Sequence, residues 1–79
     1  MKAKVIVKLK NGILDPQGEV IHRVARGLGF DDIKSIQVGK IFEVELMHSD
    51  VKKAMADLKI LAEKLLANTV MEDFDLYIE

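Results

Sequence analysis

An eight-residue stretch from Asn11 to Gly18 constrains the fold of this chain more than any other part of the sequence. It follows an alternating, lysine-rich segment and precedes a segment with helical periodicity. Asp15 is placed to cap the helix, because its carboxylate accepts a bond from a free backbone N–H and its charge suits the positive helix end. Pro16 fits the first helical position, where its missing N–H costs nothing. The stretch therefore predicts a strand-to-helix connection.

The composition predicts one small domain over residues 1–79, with a core that is marginal at this length. The chain has no cysteine, so neither a disulfide nor a thiolate metal site can stabilise it, and chains of this kind often self-associate. A net charge of −1 gives no electrostatic case for a nucleic-acid partner. We see no signal peptide and no run of apolar residues long enough for a membrane helix, so we expect a cytoplasmic protein without a membrane partner.

Hydrophobic spacing predicts four strands and two helices. We place the strands at residues 2–10, 33–38, 41–47 and 71–79, with a hairpin around Gly39-Lys40. Its loop is either a two-residue turn or, as we prefer, a three-residue loop with Gly39 in a bulge, which places Ile36, Phe42 and Val44 on one face. The first helix spans 15–28 and ends before Gly29, where we expect a left-handed residue. Ser49 is predicted to cap the second helix, which stops at Asn68. The residues predicted to face inward are Val20, Ile21, Val24, Ala25 and Leu28 in the first helix, and Val51, Ala54, Met55, Leu58, Leu61, Ala62 and Leu65 in the second.

This order of elements, β-α-β-β-α-β, predicts an α+β, ferredoxin-like fold with a four-stranded antiparallel sheet in the order 4-1-3-2 and both helices on one face. The open face would then carry Lys4, Ile6 and Lys8 on the central first strand. Acidic side chains would flank them on both neighbouring strands, namely Glu43 and Glu45 on one side and Asp73, Asp75 and Glu79 on the other. This face offers no aromatic platform for stacking bases, and its carboxylates would repel phosphate, which argues against an RNA-recognition motif.

We find no catalytic set, cofactor-binding motif or metal site in the sequence. His22 and His48 share no helical spacing and have no evident third ligand, whereas structural zinc usually takes four N or S ligands. Gly27-Leu28-Gly29 lacks the third glycine of a dinucleotide fingerprint and follows a helix instead of a strand. Its simpler interpretation is a helix stop.

Four segments together resemble one family over essentially the whole chain. They are Gly12-Ile13-Leu14-Asp15-Pro16-Gln17-Gly18, Leu28-Gly29-Phe30, Val38-Gly39-Lys40, and the run from Leu65-Leu66-Ala67-Asn68 to Phe74. In order and spacing they are similar to PurS, the small subunit of phosphoribosylformylglycinamidine (FGAM) synthase, a glutamine-dependent ligase of purine biosynthesis. One departure is Thr69, where the family typically has proline, so a fixed φ is lost at the helix exit.

The resemblance implies a non-catalytic accessory role. In that family a large synthetase subunit uses ATP, a glutaminase subunit releases ammonia from glutamine, and the small subunit, generally dimeric, joins the two and helps ammonia to pass between them. No cofactor is then expected on this chain itself. The alternative is an ACT-like regulatory domain that binds a small molecule, because such a site lies between subunits and leaves little trace in the sequence. Binding of a free amino acid would distinguish the alternative.

The candidate interface residues are Ile6, Lys8, Asp15 and Tyr77. We expect a homodimer or a dimer of dimers that uses the open sheet face or a strand edge. Two interpretations remain open for Asp15. In the first it only caps the helix, and in the second it also belongs to a surface that docks the larger subunits. If it is only a cap, Asp15→Asn should be nearly neutral, since asparagine caps helices as well as aspartate does.

Overall fold

The computed structural model describes all 79 residues and contains three strands and two helices. The elements are β1 (Lys2–Leu9), α1 (Pro16–Gly27), β2 (Gly39–Glu45), α2 (Val51–Leu61) and β3 (Glu72–Ile78), and a π-helical turn (Ala62–Leu66) continues α2. The three strands form one antiparallel sheet in the order β2-β1-β3. The central position of β1 was predicted correctly.

The predicted four-stranded sheet is wrong, because residues 33–38 form no strand and the hairpin around Gly39-Lys40 does not exist. A two-residue hairpin turn and a three-residue loop with a glycine bulge both need a residue with positive φ, and the only residues with positive φ are Gly12 and Gly29. Gly39 instead begins β2 opposite Lys8. A Cβ at Gly39 would lie 2.9 Å from the carbonyl oxygen of Val7, so glycine permits the close approach of two strands here and makes no turn.

The core lies between β1 and α2. Ala3, Val5 and Val7 alternate along β1 and are fully buried, as the period-2 pattern predicted, and they pack with Leu58 and Ala62. Half-buried side chains from the two outer strands surround this centre: Phe42, Val44, Leu46, Phe74, Leu76 and Ile78. The strands are therefore apolar on one face and charged on the other.

The second helix differs from its prediction at both ends. Its cap is Asp50, whose Oδ1 accepts a bond from the Lys53 N–H at 3.1 Å, and Ser49 was the wrong choice. Near its C-terminal end a bond from Ala67 N to Ala62 O, 2.9 Å long, spans five residues and marks the π turn. The wider turn keeps both alanines buried. The exposed members of the predicted inward set are Val51, Met55 and Leu65.

The first helix does not lie on the sheet, so the expectation of two helices on one face is also wrong. Only Gly18 of α1 is buried, and the close contacts of the helix are with residues 33–38. We call residues 15–38 the arm. Because the arm projects from the rest of the chain, the molecule measures 48 × 25 × 15 Å and has a radius of gyration of 15.9 Å. A compact chain of this length would have about 12 Å.

Candidate subunit interface

Asp15 joins the two ends of the arm. Its Oδ1 accepts a bond from Gly18 N at 2.9 Å, which confirms the predicted helix cap, and its Oδ2 accepts a second bond from Val38 N at 2.8 Å. The backbone bond from Val38, with that from Gly18, holds the pKa of Asp15 below its usual value, because both bonds favour the charged carboxylate. Sequence reasoning missed the second bond, since nothing local connects positions 23 residues apart.

Two further contacts fasten the same side of α1 to the rest of the arm. Gly18 is buried against residues 36–38, and a Cβ there would overlap the carbonyl oxygen of Ile36. One turn later, the His22 Nε2 donates to the carbonyl oxygen of Ile33 at 2.7 Å. Neither role was predicted. The only signal in the sequence for these contacts was the Asp-Pro-x-Gly spacing. It places a glycine, which has no side chain, on the same side of the helix as the capping aspartate.

The open sheet face gathers three of the four candidate interface residues. Ile6 lies on the central strand opposite Ile41 on one side and Asp75 on the other. Tyr77 is half exposed on β3, and Lys8 lies at the far end of β1. Asp15 is not part of this face, because it belongs to the arm. The structure contains a single chain, so the role of these four residues at an interface stays a prediction.

Charge pairs across this face follow the predicted alternation of a basic strand between acidic ones. Lys4 Nζ lies 3.1 Å from Glu79 Oε1, and Lys10 Nζ lies 4.0 Å from Asp73 Oδ1. The hydrogen bond to Glu79, and then the charges of Glu79 and Glu43, raise the pKa of Lys4 above its usual value. These exposed pairs fix the register of the face more than they stabilise the fold.

The arm carries an exposed apolar surface that the sequence interpretation placed inside the protein. Val20, Ile21, Val24 and Leu28 form one stripe of α1, and Val24 and Leu28 are 58% and 72% exposed. The periodicity was recognised correctly, but in this chain nothing covers the stripe. Exposed apolar patches of this kind commonly mark surfaces that contact another protein.

The titratable side chains near the arm and the helix ends serve local structure. His22 is bonded to Ile33 as described, and His48 Nδ1 accepts a bond from Asp50 N at 3.1 Å, just before α2. The chain contains no group of three or more His, Cys, Asp or Glu residues placed to hold a metal ion. Neither helix has the length and apolar character needed to cross a membrane.

These features define a small α+β protein whose distinctive surfaces, the apolar stripe of α1 and the charged open sheet face, are of the kind that meets other chains. The sequence model of the PurS family, described as phosphoribosylformylglycinamidine (FGAM) synthase, matches residues 2–79. The chain therefore belongs to the PurS family, and the resemblance and its implied role as a subunit of FGAM synthase are confirmed.

Individual members of the PurS family are similar to this chain over nearly their full length. The PurS subunit of FGAM synthase from Methanocaldococcus jannaschii is 36% identical over 78 residues, which are 99% of this chain and 94% of the relative. The subunit from Bacillus subtilis is also 36% identical, with 99% and 92% covered. The M. jannaschii crystal structure, described as one of the subunits of formylglycinamide ribonucleotide amidotransferase, superposes with a TM-score of 0.86 at 37% identity, covering 99% of this chain and 94% of that one.

A chain in the structure of PurLQS from Thermotoga maritima has the same fold. It superposes with a TM-score of 0.85 at 31% identity, covering 95% of this chain and 92% of that one. The superposition extends over nearly all of both chains, so this chain and the T. maritima chain share one overall fold.

Proposed function

We propose that this chain joins the glutaminase and ATP-dependent synthetase subunits of FGAM synthase into one assembly and supports the passage of ammonia between them. The match to the PurS family over residues 2–79 carries the proposal. The close likeness to a chain of the T. maritima PurLQS structure supports it. We place this work in the cytoplasm, with no cofactor held by the chain itself and with ATP and glutamine bound by its partners.

The proposal is tested by reconstitution from the purified synthetase and glutaminase subunits of the same source, with and without this chain. FGAM formation is measured once with glutamine and once with ammonium as the nitrogen source. We expect the glutamine-dependent rate to fall strongly without the chain and the ammonium-dependent rate to fall much less, because free ammonia needs no transfer between subunits. Full glutamine-dependent activity from the two larger subunits alone would refute the proposal.

We also propose that the chain acts as a homodimer. Its accessible surface is 6075 Å², whereas a compact monomer of 8.9 kDa would expose about 4,800 Å². The excess is about 1,300 Å² per chain, so a dimer that buries it on both chains covers about 2,500 Å² in total, which is the range of obligate homodimers. Sedimentation of the chain alone at micromolar concentration should show at least a dimer, and a clean monomer would contradict this.

A further inference from the structure

The turn that leads from the sheet to the arm is built on the dipeptide Asn11-Gly12. The N–H of Ile13 donates to the carbonyl oxygen of Lys10 at 3.2 Å, and Gly12, at the third position of this turn, has a φ of 85°. Asn11 is not among the residues with positive φ, so the turn is of type II. This turn needs positive φ at its third position, which explains the glycine but not the asparagine before it.

The reactive atoms of this dipeptide are accessible and free of hydrogen bonds. Both residues are exposed. The backbone N–H of Gly12 and the side-chain amide of Asn11 take part in none of the hydrogen bonds of the chain. A Cβ added to Gly12 would meet nothing within 4 Å, so no neighbouring group restricts movement of the turn. The amide carbon of Asn11 and the backbone nitrogen of Gly12 are therefore free to approach each other.

The other asparagine of the chain, Asn68, has the opposite environment. Its Oδ1 accepts a bond from Val70 N at 3.1 Å, and its own N–H donates to Glu72 Oε1 at 2.8 Å. The residue that follows it is Thr69, whose β-branched side chain crowds the backbone nitrogen and restricts its movement. The two asparagines thus form a matched pair within one chain, since the first has free, unhindered atoms and the second is held in place.

We propose that Asn11 is a site of spontaneous deamidation and that its isoaspartyl product changes how the arm is set on the sheet. The backbone nitrogen of Gly12 loses its proton and attacks Cγ of Asn11. A bond forms between these two atoms, the bond from Cγ to the side-chain nitrogen breaks, and that nitrogen leaves with a proton as ammonia. The product is a five-membered succinimide. Water then opens the ring, at Cγ to give aspartate or at the main-chain carbonyl carbon to give isoaspartate.

Isoaspartate at position 11 lengthens the connection between sheet and arm. The main chain then runs through the side-chain carbon, which adds one methylene between Lys10 and Ile13, the two residues that the turn bond joins. Lys10 is held to the sheet by a bond from its N–H to the carbonyl oxygen of Met71 at 2.8 Å, so the extra length is taken up on the side of the arm. The aspartate product, in contrast, adds only a charge.

Ageing of the full chain in warm, mildly alkaline buffer tests the site, because the attacking nitrogen must lose its proton. Mass spectrometry of peptides gives the deamidated fraction at each asparagine, and an isoaspartyl carboxyl methyltransferase with radioactive S-adenosylmethionine labels the isoaspartate. We expect Asn11 to react at least roughly tenfold faster than Asn68. The matched control is Asn11→Gln, which keeps the amide but must close a six-membered ring, so labelling should be lost. Equal rates at both asparagines, or labelling that persists in Asn11→Gln, would overturn the proposal.

A second comparison separates the effect of the backbone from that of the charge. Anion exchange separates the aged chains from unreacted ones, since both products carry one more negative charge, and reverse-phase chromatography resolves the two products. The reference is freshly prepared Asn11→Asp, which has the charge and a normal backbone. We expect the isoaspartyl chain to melt at least roughly 4 °C lower than Asn11→Asp, because the bond from Ile13 to Lys10 is lost. Equal Tm values would refute the change at the arm and leave Asn11 as a deamidation site without structural effect.

Discussion

Replacing Gly18 by alanine provides a quantitative test of how the arm is held. Two effects oppose each other. Alanine in place of glycine within a helix gains about 1 kcal/mol of helix propensity. The new Cβ, however, would overlap the carbonyl oxygen of Ile36 and lie 2.8 Å from Asp15 Oδ2, and overpacking of this kind costs about 1–3 kcal/mol. The carbonyl oxygen of Ile36 is a backbone atom, so it cannot move aside as the end of a flexible side chain would.

We expect the clash to prevail, with a net loss of about 1–2 kcal/mol, because moving residues 36–38 also distorts the bond from Val38 to Asp15. For a chain of this size that loss lowers Tm by roughly 4–15 °C. Gly27→Ala is the matched control in the same helix, since nothing lies within 4 Å of its added Cβ. It should raise Tm by roughly 4–8 °C, the effect of about 1 kcal/mol in a chain of this size. Thermal melts at one fixed protein concentration measure both, and a Gly18→Ala chain as stable as wild type would refute the proposed packing.

Three further predictions concern the Asp15 carboxylate and the buried core. Asp15→Asn should lower Tm nearly as much as Asp15→Ala, because the amide nitrogen of asparagine is a donor and would face the N–H of either Gly18 or Val38. This differs from the nearly neutral effect expected of a residue that only caps the helix. The pKa of Asp15 is lower in the folded chain than its ordinary value of 3.8, so the carboxylate stabilises the fold above that value and this stabilisation is lost as pH falls through the folded pKa. The decrease of Tm with falling pH below pH 4 should therefore be less steep in Asp15→Asn than in the wild type. Leu58→Ala should cost about 2–5 kcal/mol in denaturant unfolding, since Leu58 is 1% exposed, and a smaller loss would contradict its central place in the core.

Local sequence signals predicted the parts of the fold that depend on local interactions. The alternation in β1 and β3, the cap at Asp15 and the positive φ of Gly29 each follow from a few neighbouring residues, and each is present. Residues 33–38 have the composition of a strand, but their backbone is held by the Asp15 carboxylate from a distant position. A strand pattern indicates that a segment can adopt an extended backbone, but it does not provide the partner strand that a sheet requires.

The same limit explains why the candidate site was predicted only in part. The helical periodicity of Val20, Ile21, Val24 and Leu28 correctly indicates an apolar stripe on one side of α1, but the prediction that these side chains face inward is wrong, because all four are exposed. The other stripe, Asp15, Gly18 and His22, is polar or small and would ordinarily be assigned to solvent, yet it makes the contacts within the chain. Packing a helix by its small and polar residues leaves its apolar residues available for a second molecule. The chain buries only eight residues, so in the homodimer proposed above a large part of the hydrophobic stabilisation would come from assembly instead of from folding of the monomer.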